Sequence, residues 1–233
     1  MEKANLIKML AENGAESGPL LGIFVKEPIA GQVKTRLSPP LLPEEAAQLY
    51  DVATRETIFR FVAAGIRVVL FYAGRRDYFA KNYPGLPLVV QVDGDLGDRM
   101  TQALSALLAT GSVAAALIGS DSPDLPITQV LAAFDLLAEH DAVTVPADDG
   151  GYVLVGWSRP CPGIFRDISW SSATVLAETR QRVAQDKISY TETGGWTDVD
   201  DFKTLLEFLR RSPDSATARF VQGNLAHHLD ASA

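Results

Sequence analysis

Apolar runs alternate with longer amphipathic stretches along the first 146 residues of the chain. The run 66–72 is continuously apolar, which is typical of a strand buried on both faces. Runs of this kind predict strands at 20–26, 66–72, 86–92, 113–118 and 141–146. Between several of these strands, apolar residues recur at helical spacing. Such alternation of strands and helices predicts a parallel sheet with right-handed crossovers.

Signals at the helix ends support this assignment. Pro43 is followed by two acids, as in a helical first turn, and Gly65 ends the stretch that begins there. A second helix is predicted to begin at Asp95, because the apolar residues that follow it fall on one face. Further helices are predicted at 127–139, 171–185, 201–210 and 214–228. Ser171 and Asp201 are candidate caps.

The alternation loosens after Asp148, where strands are predicted at 151–157 and 188–191. Two strands close together favour an antiparallel addition at one edge of the sheet. With no repeat or linker in the chain, we expect one domain over residues 19–230. Residues 1–18 are expected to be an N-terminal extension, weakly helical over 3–13.

Composition narrows the possible partners. The 233 residues carry a formal charge of −8, so nucleic acid is not an expected partner. Cys161 is the only cysteine, which excludes an intramolecular disulfide and fits the cytoplasm. No apolar run approaches the ~20 residues of a membrane span, and the first residues do not resemble a signal peptide. Neither nucleic acid nor a membrane is therefore an expected partner.

Asp121 is the first candidate for chemistry. It follows an apolar strand in the sequence Gly119-Ser120-Asp121-Ser122-Pro123. Open α/β sheets place ligand-binding groups at such strand ends, and a carboxylate there suits a divalent cation with phosphates. The alternative is an Asx turn that simply leaves the strand.

A cationic loop follows the first strand. Lys26, Lys34 and Arg36 lie within eleven residues of an otherwise acidic chain, with Gly31 and Thr35 among them. Glycine lets backbone N–H groups approach a phosphate, and Lys and Arg supply charge and donors. The spacing is neither a Walker A loop nor a dinucleotide fingerprint. The alternative is a solvated loop with ordinary surface cations.

Three acids lie close together near the C-terminus. In an extended backbone Asp198 and Asp200 share a face, while Asp201 is placed to cap the next helix. Gathered carboxylates repel unless a cation relieves them. The alternative is a capped helix start with a solvated acidic rim.

Histidine chemistry is not expected. His227 and His228 are adjacent, so on a helix they point in different directions and are not expected to share a metal. His140 is assigned to a helix end, where a cation is favourable. There is no nucleophile elbow, which disfavours a Ser-His-Asp hydrolase.

Six segments together resemble the DUF2064 group of GT-A-fold nucleotide-diphospho-sugar transferases, which is related to nucleotidyltransferases. The matching segments, in the order of that family, are Phe24–Leu37, Gly94–Met100, Ile118–Pro123, Asp148–Tyr152, Trp170–Ser171 and Asp198–Asp200. The resemblance implies a Rossmann-like three-layer sandwich, with a mostly parallel sheet that binds a nucleotide at the carboxyl ends of its strands.

The resemblance also implies roles for the three segments. Asp121 would ligate Mg²⁺ or Mn²⁺, and because its neighbours are serines rather than a second Asp, another carboxylate must join it. Asp200 is the first choice and Asp198 the second. Lys34 and Arg36 would hold the diphosphate, with Lys26 nearby.

Other motif residues have less specific assignments. Gly150 and Gly151 permit close approach of a ligand or form a tight turn, and Tyr152 is a candidate for stacking on a sugar. Arg99 is a candidate either for contact with the nucleotide or for a pair with Asp95. Asp149 is a candidate catalytic base, and Trp170 a candidate substrate contact.

Three functions compete. The first is metal-dependent transfer of a sugar from a nucleotide-diphospho-sugar to an acceptor. The second is nucleotidyl transfer from an NTP, with release of pyrophosphate. The third is a non-enzymatic nucleotide-binding module, which would leave the acidic pair without a purpose. The family resemblance favours the first.

Overall fold

The computed structural model describes residues 18–230. Its strands are β1 (Leu20–Lys26), β2 (Val68–Ala73), β3 (Leu88–Val90), β4 (Ala115–Ile118), β5 (Ala142–Pro146), β6 (Tyr152–Trp157) and β7 (Tyr190–Glu192). They form one seven-stranded sheet in the order β3-β2-β1-β4-β6-β5-β7. The strand order reverses beside β1, where open α/β sheets open a crevice for ligands.

The first four strands are parallel, as expected. β1 lies between β2 and β4, with Leu21 opposite Val68 and Leu20 opposite Ala115. These central strands are apolar on both faces and almost fully buried, which is why their sequences read as continuous apolar runs. Their carboxyl ends therefore meet at one edge of the sheet.

The antiparallel addition is confirmed, but its expected place was wrong. β6 runs antiparallel to both β4 and β5, so it lies inside the sheet. β7 forms the edge and is parallel to β5. The burial of β6 from Val153 to Trp157 explains this, since an edge strand would leave part of that apolar surface in water.

Eight helices surround the sheet within the described residues. They are α1 (Pro43–Ala63), α2 (Arg76–Asn82), α3 (Leu96–Leu108), α4 (Ile127–Leu136), α5 (Val175–Gln185), α6 (Phe202–Arg211), α7 (Ala216–Asn224) and α8 (Ala226–Asp230). Asp95 and Asp201 cap α3 and α6 by accepting backbone N–H groups, as the sequence predicts.

The helices form layers on both sheet faces. Ile58 and Phe61 of α1 pack with Val130 of α4 against residues such as Leu21 and Ile23. On the opposite face, α3 and α5 pack against the alternate residues of the strands, Leu20 and Val69 among them. The molecule is thus the three-layer α/β sandwich that the sequence predicts.

A third apolar cluster lies beside the sheet and bears on the site. It joins Leu37 and Leu41, from the loop after β1, to Val199 and to residues of α6 and α7. Leu37, Leu205 and Phe208 in it are fully buried. The cationic loop and the acidic segment therefore share one packed support.

Several local predictions were wrong. α2 was not predicted, because a seven-residue helix offers too few turns to show a helical period. The stretch 214–228 is two helices separated at Leu225, and the helix predicted from Ser171 begins at Val175 instead. The helix predicted over 3–13 lies outside the described residues. From Gly18 to Asp230, no helix combines the length and apolar character that crossing a bilayer requires.

Candidate active site

Lys34 is held in an unusual backbone conformation. Its φ of 48° and ψ of 39° are left-handed, which costs a non-glycine residue about 1–2 kcal/mol. A 3₁₀ turn follows at Thr35–Leu37, and buried Leu37 anchors it. Strain of this kind persists where the surroundings determine the conformation, often at functional sites. Here it accompanies a lysine side chain that points inward from a surface loop.

The ammonium group of Lys34 lies among the predicted acidic residues. Its Nζ is 2.5 Å from Oδ1 of Asp121 and 3.7 Å from Oδ1 of Asp200. It also donates to the carbonyl oxygen of Val199 at 2.5 Å. Burial by itself would lower the pKa of Lys34, but the attraction of the neighbouring carboxylates outweighs it and the pKa is raised. The buried lysine therefore stays charged.

Burial and mutual repulsion raise the pKa values of two carboxylates near Lys34, those of Asp198 and Asp200. Burial, followed by repulsion from Asp121, Asp200 and Asp149, raises the pKa of Asp198 to about 7. Burial is also the main cause of the raised pKa of Asp200. Asp198 accepts one hydrogen bond, from the Ser122 hydroxyl at 3.3 Å. The cluster holds more negative charge than one lysine neutralises.

These residues fit a divalent cation. The structure already places one positive charge, the Lys34 ammonium, against the carboxylates of Asp121 and Asp200. Carboxylate oxygens are the ligands that Mg²⁺ and Mn²⁺ prefer. Asp121 and Asp200 are 45% and 38% exposed, so a cation has access to both from solvent.

Backbone contacts fix the acidic segment against the end of β4. The N–H of Val199 donates to the carbonyl oxygen of Asp121 at 2.9 Å. Val199 is itself buried in the third apolar cluster. Asp198 and Asp200 therefore flank a residue whose backbone is bound to Asp121, which brings together acids from distant parts of the sequence.

Tyr50 of α1 joins the ends of β1 and β4. Its hydroxyl oxygen accepts the backbone N–H of Lys26 at 2.8 Å and the hydroxyl of Ser120 at 2.9 Å. Burial, and then the charge of Asp121, raise the pKa of Tyr50. The sequence did not single out Tyr50, because a tyrosine on the buried face of a helix looks like core.

One cavity of about 720 Å³ opens over this cluster. Most of the residues that the sequence singled out line it, namely Lys26, Lys34, Thr35, Arg36, Arg99, Asp121, Asp149, Gly151, Tyr152, Trp170, Asp198 and Asp200. Gly31 and Gly150 are not among its lining residues. The volume lies within the 300–1,000 Å³ usual for small-molecule sites.

The cations of the cavity differ in their partners. Arg36 is 70% exposed and 3.6 Å from Asp200, so its guanidinium is available to a ligand. Arg99 donates from Nε to the backbone carbonyl oxygen of Asp95 at 3.2 Å. The predicted pair with Asp95 is thus made to its backbone. Lys26 ends β1 with an exposed side chain. The cavity thus offers positive charge beyond the buried Lys34.

The opposite wall comes from β6 and the loop before α5. Tyr152 and Trp170 line it, and Trp170 packs on Phe165 with ring centroids 6.1 Å apart. Asp149 precedes β6 and accepts the N–H of Gly151 at 2.9 Å. Ser171 does not cap a helix, contrary to the prediction, but has a φ of 64° and lines the cavity.

Gly150 has a structural reason to be glycine. Its φ is 89°, and a Cβ atom would lie 2.1 Å from the carbonyl oxygen of Ala173. The N–H of Leu176 also donates to the carbonyl oxygen of Gly150 at 2.8 Å. The tight-turn alternative therefore accounts for Gly150, which holds the loop before α5 against the start of β6.

Phe24 and Gln91 also line the cavity; Phe24 begins the first matching segment but had no assigned role, and the sequence did not point to Gln91. Gln91 donates from its side-chain amide to the carbonyl oxygen of Phe71 at 2.8 Å. Neither belongs to a polar cluster in the sequence. Only the pairing of β1, β2 and β3 brings them to the cavity.

The α/β sandwich, with charged groups gathered at the carboxyl ends of β1 and β4, has the architecture that the resemblance in the sequence implies. The family model of DUF2064, described as an uncharacterized protein conserved in bacteria, matches residues 59–172. The resemblance seen in the sequence is thereby confirmed. No curated protein matches the chain.

Solved structures support the same class. A presumed nucleotide-diphospho-sugar transferase from Desulfovibrio desulfuricans G20 is 29% identical with a TM-score of 0.81, covering 89% of this chain and 95% of that one. CMP:2-keto-3-deoxy-manno-octonic acid synthetase complexed with CTP is 12% identical, with a TM-score of 0.52 and coverages of 83% and 97%.

A third similar structure is the Rv0371C protein of Mycobacterium tuberculosis H37Rv in complex with manganese. It is 16% identical with a TM-score of 0.51, covering 82% of this chain and 98% of that one. At their low identities, the synthetase and the manganese complex show a shared fold alone. Together with the family match, the three structures place this chain in the transferase and nucleotidyltransferase class of fold.

Proposed function

We propose that the protein is a metal-dependent glycosyltransferase that moves a sugar from a nucleotide-diphospho-sugar to a small-molecule acceptor. One observation carries the proposal: the Lys34, Asp121 and Asp200 cluster lines the same cavity as Tyr152 and Trp170. Charge for a diphosphate and aromatic surface for a sugar are thus offered together. Residues 19–230 would form the transferase domain, and the single, buried cysteine supports a cytoplasmic location.

Asp121 and Asp200 would hold the cation, with Asp198 as the second choice beside Asp121. When bound, Mg²⁺ or Mn²⁺ would neutralise charge on the departing diphosphate. The carboxylates of Asp121 and Asp200 are half-exposed, which supports their access to a cation. Without metal, the Lys34 ammonium neutralises the charge of these two carboxylates. Once another cation takes its place, the ammonium would be free to turn towards the phosphates.

Lys34 and Arg36 would bind the diphosphate directly, with Lys26 and Thr35 beside them. Arg36 supplies a forked guanidinium suited to phosphate oxygens, and Lys34 supplies a point charge. Both groups would stabilise the leaving group more strongly as its negative charge develops. Arg99, from the first turn of α3, would contact the nucleotide.

Asp149 would act as the base. Its Oδ1 accepts the N–H of Gly151, which orients the carboxylate at the cavity wall. The acceptor hydroxyl would pass its proton to Asp149 while its oxygen bonds to the anomeric carbon. The bond from that carbon to the diphosphate breaks, and the diphosphate leaves with the electron pair. Attack from the face opposite the leaving group would invert the sugar.

Nucleotidyl transfer is the second candidate, favoured by the number of cations in the cavity. Lys26, Lys34, Arg36 and Arg99 all line it, which would suit a triphosphate. In that reaction an oxygen of the second substrate would attack the α-phosphorus of an NTP, and pyrophosphate would leave. The similar synthetase, which was solved with CTP, supports keeping this candidate.

The product identifies the reaction. Purified protein is incubated with Mn²⁺ and each common NDP-sugar or NTP, with water and a panel of sugar alcohols and sugar phosphates as acceptors. Release of free NDP supports glycosyl transfer, and release of pyrophosphate supports the second candidate. Asp121→Asn is expected to abolish release, while Asp135→Asn, at an exposed position on α4, retains it. No release from any donor would contradict both.

A further inference from the structure

Two histidines and a glutamate meet outside the cavity. Glu45 lies in the first turn of α1, and His227 and His228 lie in α8. Oε2 of Glu45 is 2.8 Å from Nε2 of His228, and Oε1 is 3.4 Å from Nε2 of His227. One ligand atom from each residue lies within 4.8 Å of the others. None of the three lines the cavity.

The convergence contradicts the expectation from the sequence. Successive residues on a regular helix point about 100° apart, which suggested that the two histidines could not share a ligand. In the structure their ring centroids are only 4.0 Å apart, with the planes inclined by 41°. Both Nε2 atoms consequently face the same carboxylate.

The two histidines lie at different distances from the Glu45 carboxylate. The contact to His228 is an ordinary hydrogen-bond length, whereas 3.4 Å to His227 is longer than the usual range. With metal–ligand bonds of about 2.0–2.1 Å, neighbouring ligands of a tetrahedral zinc ion lie ~3.3 Å apart. The two distances run to different oxygens of Glu45, Oε1 for His227 and Oε2 for His228. A carboxylate that binds the ion through one oxygen therefore has to rotate to bring both imidazoles to that spacing.

We propose that Glu45, His227 and His228 form a second metal site, selective for a late first-row divalent cation such as Zn²⁺. Two imidazoles and one carboxylate suit Zn²⁺, Co²⁺ or Ni²⁺, whereas a carboxylate cluster such as that around Asp121 suits Mg²⁺ or Mn²⁺. The site is independent of the proposed function, because it shares no residue with the cavity.

The site is half-buried between α1 and α8. The side chains of Glu45 and His228 are 18% and 16% exposed, while His227 is 61% exposed. Water has access on the His227 side and would complete a four-coordinate ion. The protein ligands join the first turn of α1 to the last described helix.

The third apolar cluster lies between these two elements. Leu41, just before α1, and Leu225, just before α8, both pack in it with Leu37 and Val199. A cation bound by Glu45 and the histidines would hold this cluster together from outside. The same cluster supports the loop of Lys34 and the segment of Asp198 and Asp200, so the ion would stabilise the frame of the cavity.

Zinc titration of the whole chain, after treatment with EDTA, tests the proposal. Calorimetry is expected to show one zinc equivalent that His227→Ala/His228→Ala binds at least tenfold more weakly. His140→Ala is the matched control, because the chain has three histidines in all and His140 is the remaining one. Asp121→Asn is also expected to retain this equivalent. Unchanged zinc affinity in the double variant, or no zinc binding by the wild type, would overturn the proposal.

A second readout separates loss of ligands from loss of fold. Zinc is expected to raise the melting temperature of the wild type and of Asp121→Asn, but not of the double histidine variant, each protein being compared with itself in EDTA. Glu45→Gln keeps an oxygen to accept the N–H of Leu42, now 2.8 Å away, and is expected to weaken zinc binding. Equal stabilisation of all these variants by zinc would contradict the site. None of these results depends on transferase activity.

Discussion

The Nζ atom of Lys34 lies 2.5 Å from Oδ1 of Asp121, so the residue expected to bind phosphate is paired with the residue expected to bind metal. The sequence assigned these roles separately. In the structure the two side chains neutralise each other. A cation that binds Asp121 would take the place of the Lys34 ammonium, which would then be free to bind an anion. Binding of the cation and binding of the anion would therefore be coupled.

Asp121→Asn is expected to fold and to lose metal-dependent nucleotide binding, because it removes the most exposed carboxylate of the cluster. A ligand at one hundred times its dissociation constant adds about 2.7 kcal/mol, or roughly 5–10 °C in melting temperature at this size. The wild type should show that shift with a matching NDP-sugar and Mn²⁺, and the variant almost none.

Asp135→Asn removes an exposed aspartate from α4 and serves as the matched control. It is expected to keep the full shift. A folded Asp121→Asn protein that still responds to nucleotide only when Mn²⁺ is present would place the metal elsewhere.

Lys34→Met is expected to have opposite effects on metal and nucleotide. Loss of the ammonium leaves the exposed Arg36 guanidinium, beside Asp200, to compensate three carboxylates. This should cost about 2 kcal/mol without metal, less than for a fully buried pair because two of the acids are half-exposed. Mn²⁺ should close most of that gap, as measured by melting in EDTA and in Mn²⁺. Nucleotide affinity should fall about 10–100-fold, the usual effect of losing a charged hydrogen bond.

Arg36→Met is the comparison for this experiment. Arg36 is 70% exposed and contacts Asp200 at 3.6 Å, so its loss should weaken nucleotide binding with little change in stability. Equal melting of Lys34→Met and wild type in EDTA would show that Lys34 does not neutralise the cluster.

The sequence predicts the sheet well because burial on both faces leaves a continuous apolar signal. β1 was predicted at its observed bounds for this reason. The position of β6 inside the sheet was not predictable, since a local pattern does not say which strands become neighbours. The split at Leu225 was missed too, because Leu225 continues an apolar period while it leaves the helix to pack in the core.

For the candidate site, residue types were visible but their contacts were not. Asp121, Asp198 and Asp200 stood out as clustered or strand-terminal acids. Their pairing with Lys34 depends on a left-handed backbone at Lys34, which no neighbouring glycine signals at that position. The histidine cluster was missed because it arises where a short helix meets the start of a long one.

Stability in acid should depend on Glu27. Its buried carboxylate accepts hydrogen bonds from the side chain and backbone of Arg75, which lower the pKa of Glu27. The unfolded value is about 4.3, so this stabilisation is complete above that pH and is lost as the pH falls through the lower folded value. Glu27→Gln should melt a few degrees below wild type at pH 7, and the difference should shrink below about pH 4.

Glu207→Gln is the control for this titration. The Glu207 side chain is 40% exposed and lies 3.7 Å from that of Lys203, a surface pair that is expected to add little stability. Its melting should follow that of the wild type at every pH. A Glu27→Gln deficit that stays constant from pH 7 to pH 3 would assign the effect to packing rather than to charge.

Gly150→Ala should destabilise the protein more than Gly111→Ala. Both glycines have a φ of 89°, but a Cβ atom meets the Ala173 carbonyl at 2.1 Å in one case and nothing within 4 Å in the other. Strain alone costs about 1–2 kcal/mol, so the excess at Gly150 measures the close approach. Urea unfolding of both variants gives that difference. Equal losses would mean that the loop before α5 moves aside freely.

The direction of β6 has a consequence for which parts of the chain could change independently. Leu154 of β6 pairs with Ile118 of β4, so the beginning of β6 reaches the sheet edge where β4 ends. Under the proposed function, the metal and the diphosphate are bound by residues around the ends of β1 and β4, whereas the base and the aromatic surface for the sugar come from a single hairpin and the loop after it. Mutations in that hairpin can change which sugar and acceptor are used without altering how the diphosphate is bound. A chimaera that exchanges residues 147–174 with a relative is expected to take the relative's sugar and acceptor and to keep its own diphosphate site.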